Sequence, residues 1–183
     1  ALISGNHDSD RIASSLDHDL LKVFYLMLFT LPGIPFVLYG DELEMKTSPI
    51  TSKDGGYQRT GTRIPMIWKE EGKNHGFTDE DMTPYLPFYE ENRISAEKAQ
   101  EDGDSLYHFI KNLIKLRKEI EDLKDAKVDI QEKDRVFTFN RGSYVLIVNL
   151  SDQPIELDHK IIISSRKNVS DILPPYSGAL IHE

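Results

Sequence analysis

A chain of 183 residues has room for one domain or one and a half, and 39% hydrophobic with 29% charged residues is enough to build an ordinary core. The net charge of -9 argues against nucleic acid and anionic membrane surfaces as partners, because phosphate rewards the opposite sign. Cysteine is absent, which excludes disulfides and thiolate metal sites and gives a lean towards a cytoplasmic setting.

Ala1-Leu2-Ile3 is a short apolar run with no initiating Met, so the strand it suggests is expected to belong to a longer polypeptide. It leads into Gly5-Asn6-His7-Asp8-Ser9-Asp10-Arg11, a polar loop dense in ionisable groups. Ligands in α/β proteins bind on loops at the carboxyl ends of parallel strands. The same residue types also serve turns and helix caps, so the loop alone leaves both readings open. Leu20 to Leu31 is apolar on every face and too short for a membrane span, which needs ~20 apolar residues; Asp17 or Asp19 suits its N-terminus and Pro32-Gly33 stops it. Ile34-Pro35-Phe36-Val37-Leu38-Tyr39 reads as a strand buried on both faces and ends in Gly40-Asp41-Glu42. Strand, helix and strand make a βαβ unit whose two polar loops open on the same side.

Leu43 to Gly103 is rich in Gly, Pro and charge, with short helices expected at Thr78–Met82 and Ser95–Gln100. Its Trp68, Tyr57, Tyr85, Phe88 and Tyr89 beside Arg59, Arg63 and Asn74 suit sugar recognition, or equally a surface loop pinned by its aromatic residues. Asp102–Glu121 is an amphipathic helix, with Leu106, Phe109, Ile110, Leu113 and Ile114 on one face. After Ala126 the period becomes two. Val136–Phe139 and Tyr144–Leu150 form a hairpin about Asn140-Arg141-Gly142, and Ile155–Leu157, Lys160–Ser164 and Gly178–Ile181 add strands. Short strands joined by polar turns predict a small antiparallel sandwich or meander.

The order Asn6-His7-Asp8-x-x-Arg11, Leu31-Pro32-Gly33-Ile34-Pro35-x-x-x-Tyr39-Gly40-Asp41-Glu42, Arg63-Ile64-Pro65-Met66-Ile67-Trp68 and Leu116-Arg117-Lys118 resembles the α-amylase superfamily of glycoside hydrolases, in its α-glucosidase and oligo-1,6-glucosidase branch. The resemblance implies an α/β plus all-β fold: about the last two βα units of a (β/α)8 TIM barrel over residues 1–124, then a small antiparallel β-sandwich domain over 125–183. It makes Asp8 the carboxylate that stabilises the oxocarbenium-like transition state. His7, Asn6 and Arg63 become sugar-binding residues, while Arg11 orients Asp8 or reaches the substrate. Asp41, Glu42 and Tyr39 support the site from behind. The family's branch has Thr and Gln where this chain has Ile64 and Ile67, which puts linkage preference in question.

The family's nucleophile and acid/base belong to strands with no counterpart here, so these residues alone are expected to hydrolyse nothing. The implied substrate is an α-linked oligosaccharide, malto- or isomalto-type. No cofactor or metal is called for by these residues, although a structural calcium would fit the part of the barrel outside the chain. Open strand edges imply pairing with the missing N-terminal barrel part or self-association. Two other readings stand beside this one: a transglycosylating relative such as trehalose synthase, and a non-catalytic barrel-type scaffold or sugar-binding module.

Overall fold

Every face of the first helix is apolar, and the structure surrounds it accordingly: Leu21, Val23, Tyr25, Leu26, Leu28 and Phe29 are buried. The computed structural model describes residues 1–50 and 60–183; the expected sugar-side residues Tyr57 and Arg59 lie outside the described residues. In chain order the elements are β1 (Leu2–Ile3), α1 (His18–Thr30), β2 (Pro35–Phe36), α2 (Ala96–Glu101), α3 (Leu106–Glu119), α4 (Asp122–Asp125), β3 (Asp129–Lys133), β4 (Val136–Arg141), β5 (Tyr144–Asn149), β6 (Ile155–Glu156), β7 (Lys160–Ser164), β8 (Ile172–Leu173) and β9 (Ser177–His182). Among the described residues no helix is long and apolar enough to cross a membrane.

Contacts divide the chain into two compact units. One comprises Ala1–Leu2, Asp19–Pro35 and Asn112–Glu183. Its main sheet is antiparallel in the order β3-β4-β5-β9-β7. The expected hairpin is in register Val136↔Asn149 to Arg141↔Tyr144, reversed at Gly142. On one face of the sheet Val145, Ile147, Ala179 and Ile181 share a core with Leu173 of the separate β6–β8 ladder and with Leu157, one residue beyond β6. On the other, Gly178 allows α1 a close approach, since an added Cβ would lie 3.1 Å from Leu26 Cδ2. The carboxyl end of α1 leaves carbonyls to satisfy. Arg117 donates to Phe29 O at 2.6 Å and Leu31 O at 3.0 Å, and Arg141 to Thr30 O at 3.1 Å and Leu123 O at 2.9 Å.

The other unit comprises Ile3–His18 and Phe36–Lys111. Leu43, Met45, Ile64, Met66, Ala96 and Ala99 form its core. Ser95 caps α2 by accepting from Lys98 N at 3.1 Å, and Ser105 accepts from His108 N at 3.3 Å as α3 starts. The helix expected from Asp102 therefore begins at Leu106, after an extended Asp102 that ends α2. No helix forms over Thr78–Met82. Buried Asn74 instead donates to Asp79 O at 2.5 Å and Met82 O at 2.9 Å, drawing the segment into turns. Asn74 is thus spent on the backbone rather than offered to a sugar. The strand expected over Ile34–Tyr39 is only Pro35–Phe36, because Leu38 and Tyr39 already turn into the next loop.

Candidate active site

The loop after β1 is shaped by its own side chains. Asn6 Oδ1 accepts from Asp8 N at 2.7 Å and Ser9 Oγ accepts from Asn6 N at 3.2 Å. Short polar residues make such local turns without a helix or sheet to hold them. The turn leaves His7 and Asp8 exposed, at 66% and 40% of their side chains, with His7 Nε2 3.5 Å from Asp8 Oδ2. Asn6 therefore supports the turn through its side-chain oxygen.

Arg63 completes the group. Its Nη2 lies 2.7 Å from Asp8 Oδ1 and its Nε donates to His7 O at 3.1 Å. Carboxylate, imidazole and guanidinium thus meet at one exposed corner, within reach of a single polyhydroxylated ring. Both the acceptor that sugar hydroxyls donate to and the donors they accept from are present.

Beneath the corner lies a buried layer. Arg11, expected to orient Asp8 or to reach substrate, is 1% exposed and turned inward. Its guanidinium donates to Tyr39 O at 2.7 Å, to Thr62 O at 2.8 and 3.2 Å, and to Asp41 Oδ1 at 3.1 Å. It also stacks 4.7 Å from the Tyr39 ring. Only a guanidinium fork serves that many acceptors at once, and this is the physical reason the residue goes under the loop. Asp41 is 2% exposed and takes a second bond from Ser4 Oγ at 2.5 Å. Gly40 permits the turn into Asp41 with φ at 81°, and an added Cβ would collide with Met45 Sδ. Tyr39 keeps its ring at the surface while its hydroxyl donates to Ile64 O at 3.0 Å.

Beside Arg63 lies a pocket of about 600 Å³ whose wall includes Tyr39, Glu42, Met66, Trp68, Phe77 and Tyr107. Burial pushes the Glu42 carboxyl above the usual carboxylate range, against the pull of backbone amides. Ile64 and Ile67 are 0% and 7% exposed. Ile64 belongs to the core yet also lines this pocket, while Ile67 is buried. Among the described residues no group of three or more His, Asp or Glu side chains is placed to hold a metal ion.

Sequence reasoning missed Thr62. Its carbonyl receives Arg11, its hydroxyl donates to Ser9 O at 2.8 Å, and the next residue is Arg63. The one local signal was its place just before an arginine in the Arg63–Trp68 motif.

Residues 1–126 match the alpha amylase, catalytic domain family model, and the chain belongs to that family. Maltase 1 of Drosophila virilis is 31% identical over 179 residues, covering 85% of this chain and 28% of that protein. Oligo-1,6-glucosidase of Heyndrickxia coagulans is 25% identical over 231 residues, covering 100% of this chain and 41% of that protein. Among solved structures, trehalose-6-phosphate hydrolase of Bacillus licheniformis superposes with a TM-score of 0.81 at 22% identity, over 99% of this chain and 42% of that one. That likeness is one of fold. The chain spans about 28% to 41% of the length of these curated relatives.

Proposed function

We propose that the chain is the C-terminal part of a retaining glycoside hydrolase acting on α-glucosidic bonds of malto- or isomalto-oligosaccharides. Residues 1–124 supply the last two βα units of its catalytic barrel and 125–183 a β domain. The observation that carries the reading is the exposed corner in which Asp8 sits between His7 Nε2 at 3.5 Å and Arg63 Nη2 at 2.7 Å, in a chain of the α-amylase family.

In this reading Asp8 is the fixed anion. Positive charge develops on the sugar only as the glycosidic bond breaks, so an anion held at that place stabilises the transition state more than the ground state. His7 donates to hydroxyls of the same ring, and Arg63 holds both Asp8 and the substrate. The nucleophilic carboxylate and the acid that protonates the leaving oxygen come from the part of the polypeptide outside this chain. The 183 residues alone are inactive until that part pairs with them.

The test uses the full-length protein on maltose, isomaltose, trehalose and soluble starch, with product anomers followed by NMR. α-Glucose as the first product from a short substrate supports retention. β-Glucose would overturn it, transfer products without free glucose would point to a transglycosylase, and no turnover at all would favour a scaffold.

A further inference from the structure

We infer that Thr62 is a positioning residue for the candidate site. It locks the loop that carries His7 and Asp8 to the segment that carries Arg63, without touching a sugar itself. The inference rests on the reading of Asp8, His7 and Arg63 as sugar-binding residues.

Thr62 is 1% exposed and works from both ends. Its carbonyl is gripped twice by Arg11, from Nη2 at 2.8 Å and Nε at 3.2 Å, so the backbone just before Arg63 is fixed in place and direction. Its hydroxyl donates to Ser9 O at 2.8 Å, tying that same point to the residue after Asp8. Arg63, one residue on, then reaches back to His7 O at 3.1 Å and Asp8 Oδ1 at 2.7 Å. The Thr62–Ser9 and Arg63–Asp8 bonds close a small ring through Ser9, Thr62, Arg63 and Asp8. Arg63 is a long side chain that is 45% exposed and would otherwise sample many rotamers. Anchoring the backbone at its base removes much of that freedom, which is how a residue behind the site preorganises groups at its front.

The hydroxyl is the part of this device that can be removed cleanly. Thr62→Val keeps the shape and the Arg11 grip but deletes the bond to Ser9, an exposed residue that can take water instead. Thr62→Ser keeps the bond, and Thr62→Ala deletes it without added bulk. In the full-length enzyme, Thr62→Val and Thr62→Ala are expected to lower kcat/KM on maltose about five- to tenfold, as for one lost hydrogen bond. Thr62→Ser stays within about twofold. In an Arg63→Ala background Thr62→Val changes kcat/KM by less than about twofold, because the residue it positions is gone. An equal loss in both backgrounds would overturn the inference, since a merely structural effect adds independently.

A second readout does not depend on turnover. The Arg63 Nε proton, bonded to His7 O, exchanges with solvent about five- to tenfold faster in Thr62→Val than in the parent or Thr62→Ser. Unchanged exchange refutes positioning even in an active enzyme. Faster exchange in a protein that hydrolyses no α-glucoside upholds positioning and sinks the glycosidase reading.

Discussion

Replacing Arg11 by alanine removes the fork that joins three separate stretches of the chain. The native side chain is 0% exposed and donates to Tyr39 O, Thr62 O and Asp41 Oδ1 while lying over the Tyr39 ring. The Tyr39 and Thr62 carbonyls lose the arginine donors, and Asp41, 2% exposed, keeps Ser4 but loses the charge beside it. Breaking a buried pair from one side costs about 3–5 kcal/mol, most of it the penalty of the charge left behind. The assay is urea unfolding followed by circular dichroism. Arg11→Ala is expected to lose about 3–5 kcal/mol, and Arg11→Ala with Asp41→Asn to recover about 2 kcal/mol of that, because the stranded charge has gone. A loss below about 1 kcal/mol, or strict additivity of the two substitutions, would show that the pair is not the hub described here.

Glu42→Gln tests the half-buried carboxyl in the pocket wall. Its native pKa is raised by burial, so the folded state holds the proton more tightly than the unfolded state, and stability falls as pH rises from the ordinary carboxylate value through the raised one. The variant is therefore expected to melt above the parent at about pH 7.5, with the gap closing towards about pH 4; a gap that is constant or reversed contradicts the assignment. Restoring the branch's residues by Ile64→Thr and Ile67→Gln is expected to cost about 1–3 kcal/mol each, since both positions are enclosed. Calorimetry checks this, and a changed ratio of α-1,4 to α-1,6 activity at unchanged stability would show instead that the residues face substrate. Arg141 is 0% exposed and shares its donors among Thr30, Leu123 and Ala126 carbonyls. Arg141→Lys is expected to lose about 2–3 kcal/mol because a point charge replaces the fork; a shift in melting too small to measure would refute that role.

What the sequence showed clearly was whatever repeats at short range. The apolar run of α1, the amphipathic α3 and the alternation of β4 and β5 are visible in neighbouring residues, and each appears within a few positions of its expected bounds. β3 was missed because Asp129-Ile130-Gln131-Glu132-Lys133 is an edge strand with every residue exposed, so no burial pattern marks it. β8 is two residues long and has no period to read. At the site, the Asn6-His7-Asp8 loop announced itself by composition. The layer beneath it did not, because Arg11 finds its partners at Tyr39, Asp41 and Thr62, far along the chain. Arginine beside a loop of acids suggests a ligand contact, and only the fold shows it turned inward. Asn74 misled for the same reason: amides that suit sugar hydroxyls also suit backbone carbonyls.

Steady-state kinetics of Asp8→Asn in the full-length protein, on whichever α-glucoside the parent cleaves, tests the role proposed for Asp8. Asparagine keeps the size of the side chain and removes its charge, so the loss falls on the step in which positive charge appears. The expected result is a fall in kcat of about a hundred- to a thousandfold with KM changed by only a few fold. A variant that retains kcat within about tenfold of the parent would contradict the account, because an exposed Asp8 beside His7 and Arg63 would then be surface electrostatics and not part of a catalytic centre.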